Sequence, residues 1–378
     1  MSEPLTFQII RDEVELDGTR DDWTRLYECG DYHYTQSFEW CMTAWRIVAS
    51  QRGYRLCCIV GKNRGRTLLI WPLVVGRQGP WIIARPLGQQ TTEYSDILIE
   101  PMRNAGDDIR KAWQFLRQCG PCDVVRLPCV ENHGRLCEST SGICDEHAGW
   151  SCREVLLTSY IDWKDARSWK DYYQSLDRKQ RRDIARRRRR LLETGSVIFE
   201  SAIPPEDVPF VIDWVRANKT SALQDHGRPR KAWFVASDYW QLLKALGSQR
   251  REEDGVIVSA LKVNGRLIAA AISRVRKDHL EAVITAFDQE AKAFSPSHCL
   301  YEELFEWSFG RSLAVDLRFG DDAFKAYWNA RPTFAINFDL ALTMKGLVFV
   351  ALRRLRSRKS RKVPYDRFLL STAPARAA

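Results

Sequence analysis

At 378 residues and 45% apolar content, the chain is long enough to bury one large core or two of ordinary size. Its formal net charge of +10 is concentrated: "RKQRRDIARRRRR" at 178–190 sets nine basic side chains against Asp183, and "RRLRSRKSRK" at 353–362 adds seven with no acid. These two patches exceed the total, so the remaining body is mildly acidic, which excludes a uniformly basic surface and points to local anionic partners.

No basic-then-apolar leader opens "MSEPLTFQII", and "LLIWPLVV" and "GLVFVAL" fall far short of the roughly 20 residues that span a bilayer, so a cytoplasmic globular protein is expected. Eleven irregularly spaced cysteines favour reduced thiols over a disulfide framework.

In chain order, "LTFQII" reads as a strand, "DWTRLYECG" and "FEWCMTAWRIVASQ" as helices, and "YRLCCIVGK", "RTLLIWPLVV" and "WIIARPL" as a meander. A helix at "DDIRKAWQFLRQ" stops at Gly120-Pro121, "DVVRLP" follows as a strand, and "EVLLTSYIDW" closes the half. Cys119-Gly-Pro-Cys122 copies a redox tetrapeptide, but it follows a helix instead of opening one, so no helix dipole lowers a thiol pKa and redox chemistry is not expected. Cys129, His133, Cys137, Cys144, His147 and Cys152 lack a second pair at ligand spacing, so no metal site is expected.

The second half repeats this order. A basic helix at about 168–194 stops at Gly195, then come a strand "SVIFESA" and helices "PEDVPFVIDWVRANK" and "SDYWQLLKAL". "GVIVSALKV" and "RLIAAAISRV" flank Asn264-Gly265, a strong hairpin signal, and "HLEAVITAF" extends the meander. A helix from Pro296 to Gly310, a strand "AVDLRF", a short helix "DDAFKAYWNA" and a strand "TFAINFDLAL" complete it. The expected class is α/β (α+β): two similar halves, each a mixed, mostly antiparallel sheet flanked by helices, at 1–160 and 161–342, with an amphipathic basic tail at 343–378.

"NGRLIAAAISRV" followed by "FSPSHCLYEELFEWSFGRSLAVDLRFGDDAFKAYW" resembles the GNAT-fold acyltransferase domain of proteins associated with cellulose and exopolysaccharide synthesis, a group related to the Fem-type peptidoglycan aminoacyltransferases. "SLDRKQRRDIARRRRRLLETGSVIFE" resembles the start of that domain, and "QSFEWCMTAW", "LIWPLVV" and "EYSDILIEP" its N-terminal partner. The resemblance implies two tandem GNAT-like halves and transfer from a thioester, with acyl-CoA as co-substrate and no permanently bound cofactor. It places the donor between the strands "HLEAVITAF" and "AVDLRF", its pyrophosphate on the helix tip at Ser295, Pro296, Ser297 and His298, where free N–H groups and the helix dipole favour anions. The loop "DQEAKAFSPSHCL" departs from the acetyltransferase pattern, since it has no glycine to let the backbone wrap a phosphate closely.

Direct transfer requires a base, oxyanion donors and an acid. The resemblance assigns Asp316, Asp321 and Lys325 to an acceptor-side pocket, with Arg318, Tyr327 and Trp328 beside them. A solvated cap, with Asp321 paired to Lys325, is the plain alternative. His298 is a candidate base and Tyr301 a candidate acid for the departing thiolate. Backbone N–H groups of the strand from about Ile284 to Ala286 are candidate oxyanion donors. On the basic helix, Arg181 and Arg188 fall inside the apolar arc, so each needs a carboxylate or a ligand anion. Arg178, Lys179, Arg181, Arg182 and Arg188 are therefore expected to line a cleft between the halves and attract an anionic substrate, such as a nucleotide-bearing donor or an acidic glycan precursor, with an anionic sugar or lipid as acceptor.

In the tail, Met344, Leu347, Val348, Ala351, Leu352 and Leu355 share a helical face that suits peripheral contact with an inner membrane or a polysaccharide synthase. The expected function is N- or O-acyl transfer to a sugar or lipid intermediate of polysaccharide or cell-envelope synthesis. The alternatives are a Fem-like transferase using charged tRNA, which would be its one nucleic-acid partner, and a non-catalytic scaffold of a polysaccharide synthase.

Overall fold

A computed structural model describes residues 4–88, 93–101, 105–132, 134–225, 237–249, 254–319 and 323–359. Two units emerge, Met1–Leu157 with Phe334–Ala378, and Thr158–Thr333.

The first unit opens with β1 (Thr6–Ile10), α1 (Glu13–Asp17), α2 (Arg20–Cys29) and α3 (Phe38–Ala44). The meander follows as β2 (Arg55–Leu56), β3 (Cys58–Asn63), β4 (Arg66–Trp71), β5 (Leu73–Gln78) and β6 (Trp81–Pro86). β7 (Leu98–Ile99) pairs back on β4, and α4 (Ala105–Cys119) crosses over to β8 (Val124–Glu131), which lies parallel to β6. Trp71 and Trp113 meet edge to face at 4.8 Å in a core shared with Leu127 and Phe338. α4 ends at Cys119, as the helix-then-strand reading of the dithiol requires, and burial pushes the Cys122 thiol up to about 12.

α5 (Arg135–Glu146) was not expected, because Ser, Thr, Gly and Cys dominate it. Leu136, Cys137, Thr140 and Cys144 are its buried face, so two of the cysteines weighed as ligands are packing residues. β9 (Ser151–Ile161) follows.

In the second unit the long basic helix divides. α6 (Trp169–Ser175) ends at an extended Leu176, and α7 (Arg178–Leu192) restarts in a capping box between Asp177 and Gln180. Then come β10 (Val197–Glu200), α8 (Val208–Asp225), α9 (Ser237–Gly247), β11 (Asp254–Val263), β12 (Arg266–Arg276) and β13 (His279–Phe287). The β11–β12 hairpin turns at Asn264 (φ 50°) and Gly265 (φ 79°), the left-handed pair that the dipeptide favours. α10 (Pro296–Gly310) crosses to β14 (Ala314–Phe319), which lies parallel to β13 and antiparallel to Val315's and Asp316's partners Ile161 and Tyr160 of β9. α11 (Ala323–Tyr327) leads out of the unit. Its core holds Trp163, Leu300, Phe305, Val315 and Trp328.

Residues 334–342, read from sequence as part of the second half, pack instead in the first unit, because β15 (Arg331–Ala341) pairs with β8 from Ala335 to Ala341. α12 (Met344–Lys359) joins the same unit through Phe349, which is 5% exposed and meets Trp81 edge to face at 5.4 Å.

Candidate active site

The parallel pairing of β13 with β14 covers only His279, Leu280 and Glu281 against Ala314, Val315 and Asp316. Beyond Glu281 the strands part. A bulge contributes: Ile272 faces Ile284 and Ser273 faces Ala282, so Val283 is an extra residue that bends β13.

The β12 ladder decides which backbone groups face the opening. Asp288 N–H donates to the Ile268 carbonyl at 2.9 Å, and antiparallel alternation then makes Ala286–Ala270 and Ile284–Ile272 hydrogen-bonded pairs. Ile284 and Ala286 therefore spend their N–H groups on β12, which leaves Thr285 as the residue of that stretch whose N–H faces the other way. Thr285 and Phe287 point the other way. Lys219 Nζ donates to the Thr285 carbonyl at 3.0 Å, as that orientation requires.

The glycine-free loop forms a turn of 3-10 helix, Gln289–Phe294, and Ser295 then takes the left-handed conformation (φ 54°, ψ 51°) ahead of Pro296 at the first position of α10. Ser295 makes no side-chain cap, so its hydroxyl does not occupy the helix tip. Ser297 and His298 are half-buried in the first turn.

One turn on, the Tyr301 hydroxyl lies 2.6 Å from Thr285 Oγ1, joining α10 to the open edge of β13. Phe324 of α11 packs on Tyr301 at 4.7 Å and on the His298 ring at 5.3 Å. Burial and the nearby Arg187 guanidinium depress the His298 pKa to about 4, so it is a neutral imidazole and a weak base at physiological pH.

Where the strands part, Glu281 receives both Arg274 Nη2 and Arg318 Nη1. All three side chains are at most 8% exposed. Arg318 is left-handed (φ 59°), a conformation that costs about 1–3 kcal/mol, and its N–H donates to Asp316 Oδ1 at 2.6 Å. Lys325 Nζ donates to the Arg318 carbonyl at 2.6 Å, and Lys325 is 6% exposed. The lysine thus braces this turn through one of its donors. Trp328 is fully buried against Phe305 and likewise belongs to the core. Asp321, with Gly320 and Asp322, lies outside the described residues.

On α7, Arg181 Nη1 caps the end of α6 at the Gln174 and Leu176 carbonyls. Arg188 lies 3.5 Å from Glu302 and 3.4 Å from Glu303. These two arginines therefore satisfy the need for a partner inside the unit. Arg178, Lys179 and Arg182 are exposed. Tyr327 donates to the Gln180 carbonyl at 3.1 Å, tying α11 to α7.

Sequence reasoning passed over Arg187. It pairs with Asp183 at 2.6 Å and lies 5.3 Å over the Tyr327 ring, and its buried Nη1 has no hydrogen-bond partner among the described residues. Asp183, the lone acid of the run four residues before it, was the available signal.

Burial raises Glu302 to about 7 despite Arg188, because a half-exposed guanidinium at 3.5 Å offsets only part of the desolvation. Folded Glu302 keeps its proton where the unfolded chain has lost it, so its contribution to stability declines as pH rises from the ordinary carboxylate range through about 7. Arg188→Ala should therefore lower the thermal midpoint more at about pH 8 than at about pH 6, by the equivalent of about 1 kcal/mol, and leave the KM of the donor unchanged.

The first unit has a matching parallel pair that also ends early, after Ile83–Val124 and Ala84–Val125. There the chain itself follows β8 onward: Ser95 N–H donates to the Cys129 carbonyl at 3.3 Å, and Ser95 Oγ bonds the Pro128 carbonyl.

A family model described as "Acetyltransferase (GNAT) domain" matches residues 178–326, all within the second unit. No curated protein matches the chain. Among solved structures it is similar to FemX, at 10% identity over 92% of this chain and 100% of that one, with a TM-score of 0.61. It is also similar to the C-terminal domain of a putative lysylphosphatidylglycerol synthetase from Agrobacterium fabrum (13% identity, 92% and 99% covered, TM-score 0.52). A tandem GNAT protein from the clavulanic acid biosynthesis pathway matches with 11% identity, 89% and 99% covered, and a TM-score of 0.51. The fold is a tandem GNAT-like one, and the stretch that the acetyltransferase (GNAT) model matches lies in the second unit.

Proposed function

We propose that the second unit transfers an acyl group from acyl-CoA to an amine or hydroxyl of an anionic sugar or lipid intermediate in polysaccharide or cell-envelope synthesis. The observation that carries this reading is the parting of β13 from β14 after Glu281, followed by a helix whose tip is free of its own side-chain cap. On this reading the donor's thioester lies along the open edge of β13. Its phosphates meet the first turn of α10 at Ser295, Pro296 and Ser297, and Arg187 Nη1 supplies a guanidinium donor.

The acceptor nitrogen or oxygen attacks the thioester carbon, forming the new bond as the C–S bond breaks. Thr285 N–H, on the open edge, donates to the oxygen as it becomes negative. Tyr301 protonates the departing thiolate, and Asp316 at the parting point receives the acceptor's proton. His298 serves as a neutral hydrogen-bonding wall.

A second reading is aminoacyl transfer from charged tRNA, favoured by the exposed arginines at 182, 186, 189 and 190 of α7. Unfolding midpoints measured over a series of CoA thioesters, a carrier-protein thioester and charged tRNA separate the two. A saturable rise with acyl-CoA, and thiol release that requires an added acceptor, is the expected result. A rise with charged tRNA alone would transfer the assignment to the second reading, and no rise with any donor would leave a non-catalytic scaffold.

A further inference from the structure

α12 is pinned to the first unit by one face. Trp81 Nε1 donates to the Lys345 carbonyl at 2.9 Å, Arg353 Nε donates to Asp339 at 2.9 Å, and Arg354 Nε donates to the Ser151 carbonyl at 2.8 Å. Gly346 lies so close that a Cβ there would meet the Asp123 carbonyl oxygen at 2.1 Å. Phe349 and Val350 are buried on this side, 5% and 1% exposed.

The opposite face is apolar and open. Met344, Val348, Leu352 and Leu355 are 72%, 55%, 42% and 57% exposed. At 100° per residue they fall within an arc of about 80°. The other large exposed apolar side chains among the described residues, Val14, Leu157, Leu192, Ile198 and Phe210, lie on separate elements, so α12 is the one described element that carries a row of them.

Charge identifies what covers it. The sixteen residues of α12 contain no acid, Arg356 is exposed beside the stripe, and the sequence runs on through "SRKSRK". A second protein surface would need an apolar groove ringed with acids, whereas an anionic bilayer offers an apolar layer directly beneath negative headgroups. No helix among the described residues is long and apolar enough to cross a membrane, so the contact is with the bilayer surface.

We propose that α12 is a membrane-docking helix, which lies in the interface of an anionic lipid bilayer with Met344, Val348, Leu352 and Leu355 inserted and Arg356 at the headgroups. The inference does not depend on the acyl-transfer reading.

Flotation of the full chain with phosphatidylglycerol-containing vesicles and with phosphatidylcholine vesicles tests it, with no acyl donor present. Binding to the anionic vesicles, weak binding to the neutral ones and release by salt are expected. The double variant V348D/L352D should bind the anionic vesicles about tenfold less, with an unchanged unfolding midpoint because both positions are exposed. Three results would overturn the proposal: no flotation with anionic vesicles, undiminished flotation of the double variant, or a wild-type dimer in solution that the double variant abolishes.

Discussion

Glu281→Gln is expected to destabilise the second unit by about 3–5 kcal/mol, seen as a lower urea midpoint with an unchanged slope. The substitution nearly keeps the side-chain shape, removes the charge and turns one acceptor oxygen into an NH2 donor. Arg274, with a fully buried side chain, and Arg318 would then face a neutral amide from inside the protein. Burial leaves neither guanidinium a ready route to water, so the loss of a shared anionic partner is expressed as lost stability. The same carboxylate helps hold Arg318 in its left-handed conformation at the last paired residues of β13 and β14. An unchanged midpoint would show that the parting of the strands does not depend on this cluster.

Tyr301→Phe is expected to lower kcat by about 10²-fold or more with little change in KM, because the hydroxyl is assigned a proton transfer made only in the transition state. The ring would stay packed against Phe324 and Phe305 at 4.7 and 5.4 Å, so the unfolding midpoint should hold to within about 1 kcal/mol. The bond to Thr285 Oγ1 is among those lost. Steady-state thiol release with a saturating acceptor reads the effect. A kcat within about twofold of the wild type would reduce Tyr301 to a packing residue and leave the thiolate's proton to another donor.

Much of the local structure was legible in the sequence, for reasons that are themselves local. Asn264-Gly265 marks a hairpin because only a few residues accept two left-handed conformations in succession. Pro296 marks a helix start because its missing N–H is not needed there. The need of Arg181 and Arg188 for partners was also readable, from their places within an apolar arc. The break at Leu176 was signalled by the capping box at Asp177 and Gln180, which the strength of the surrounding helical pattern obscured. α5 was hidden for the opposite reason, since its weak helix formers are held by packing of Leu136, Cys137 and Cys144 and not by propensity.

The sequence by itself determined most of the order of elements, the two-half repeat and the segment to which the proposed donor site is assigned, because hydrophobic period, caps and turn residues act over a few positions. Only the tertiary structure decided that Thr285 and not Ile284 faces the opening, that Glu281 gathers Arg274 and Arg318, that Lys325 braces the Arg318 turn, and that β15 from Phe334 onward packs in the first unit. Each of these depends on strand register or on side chains meeting across long stretches of chain. A one-residue slip reverses every backbone and side-chain direction in a strand while leaving its apolar pattern almost as readable as before.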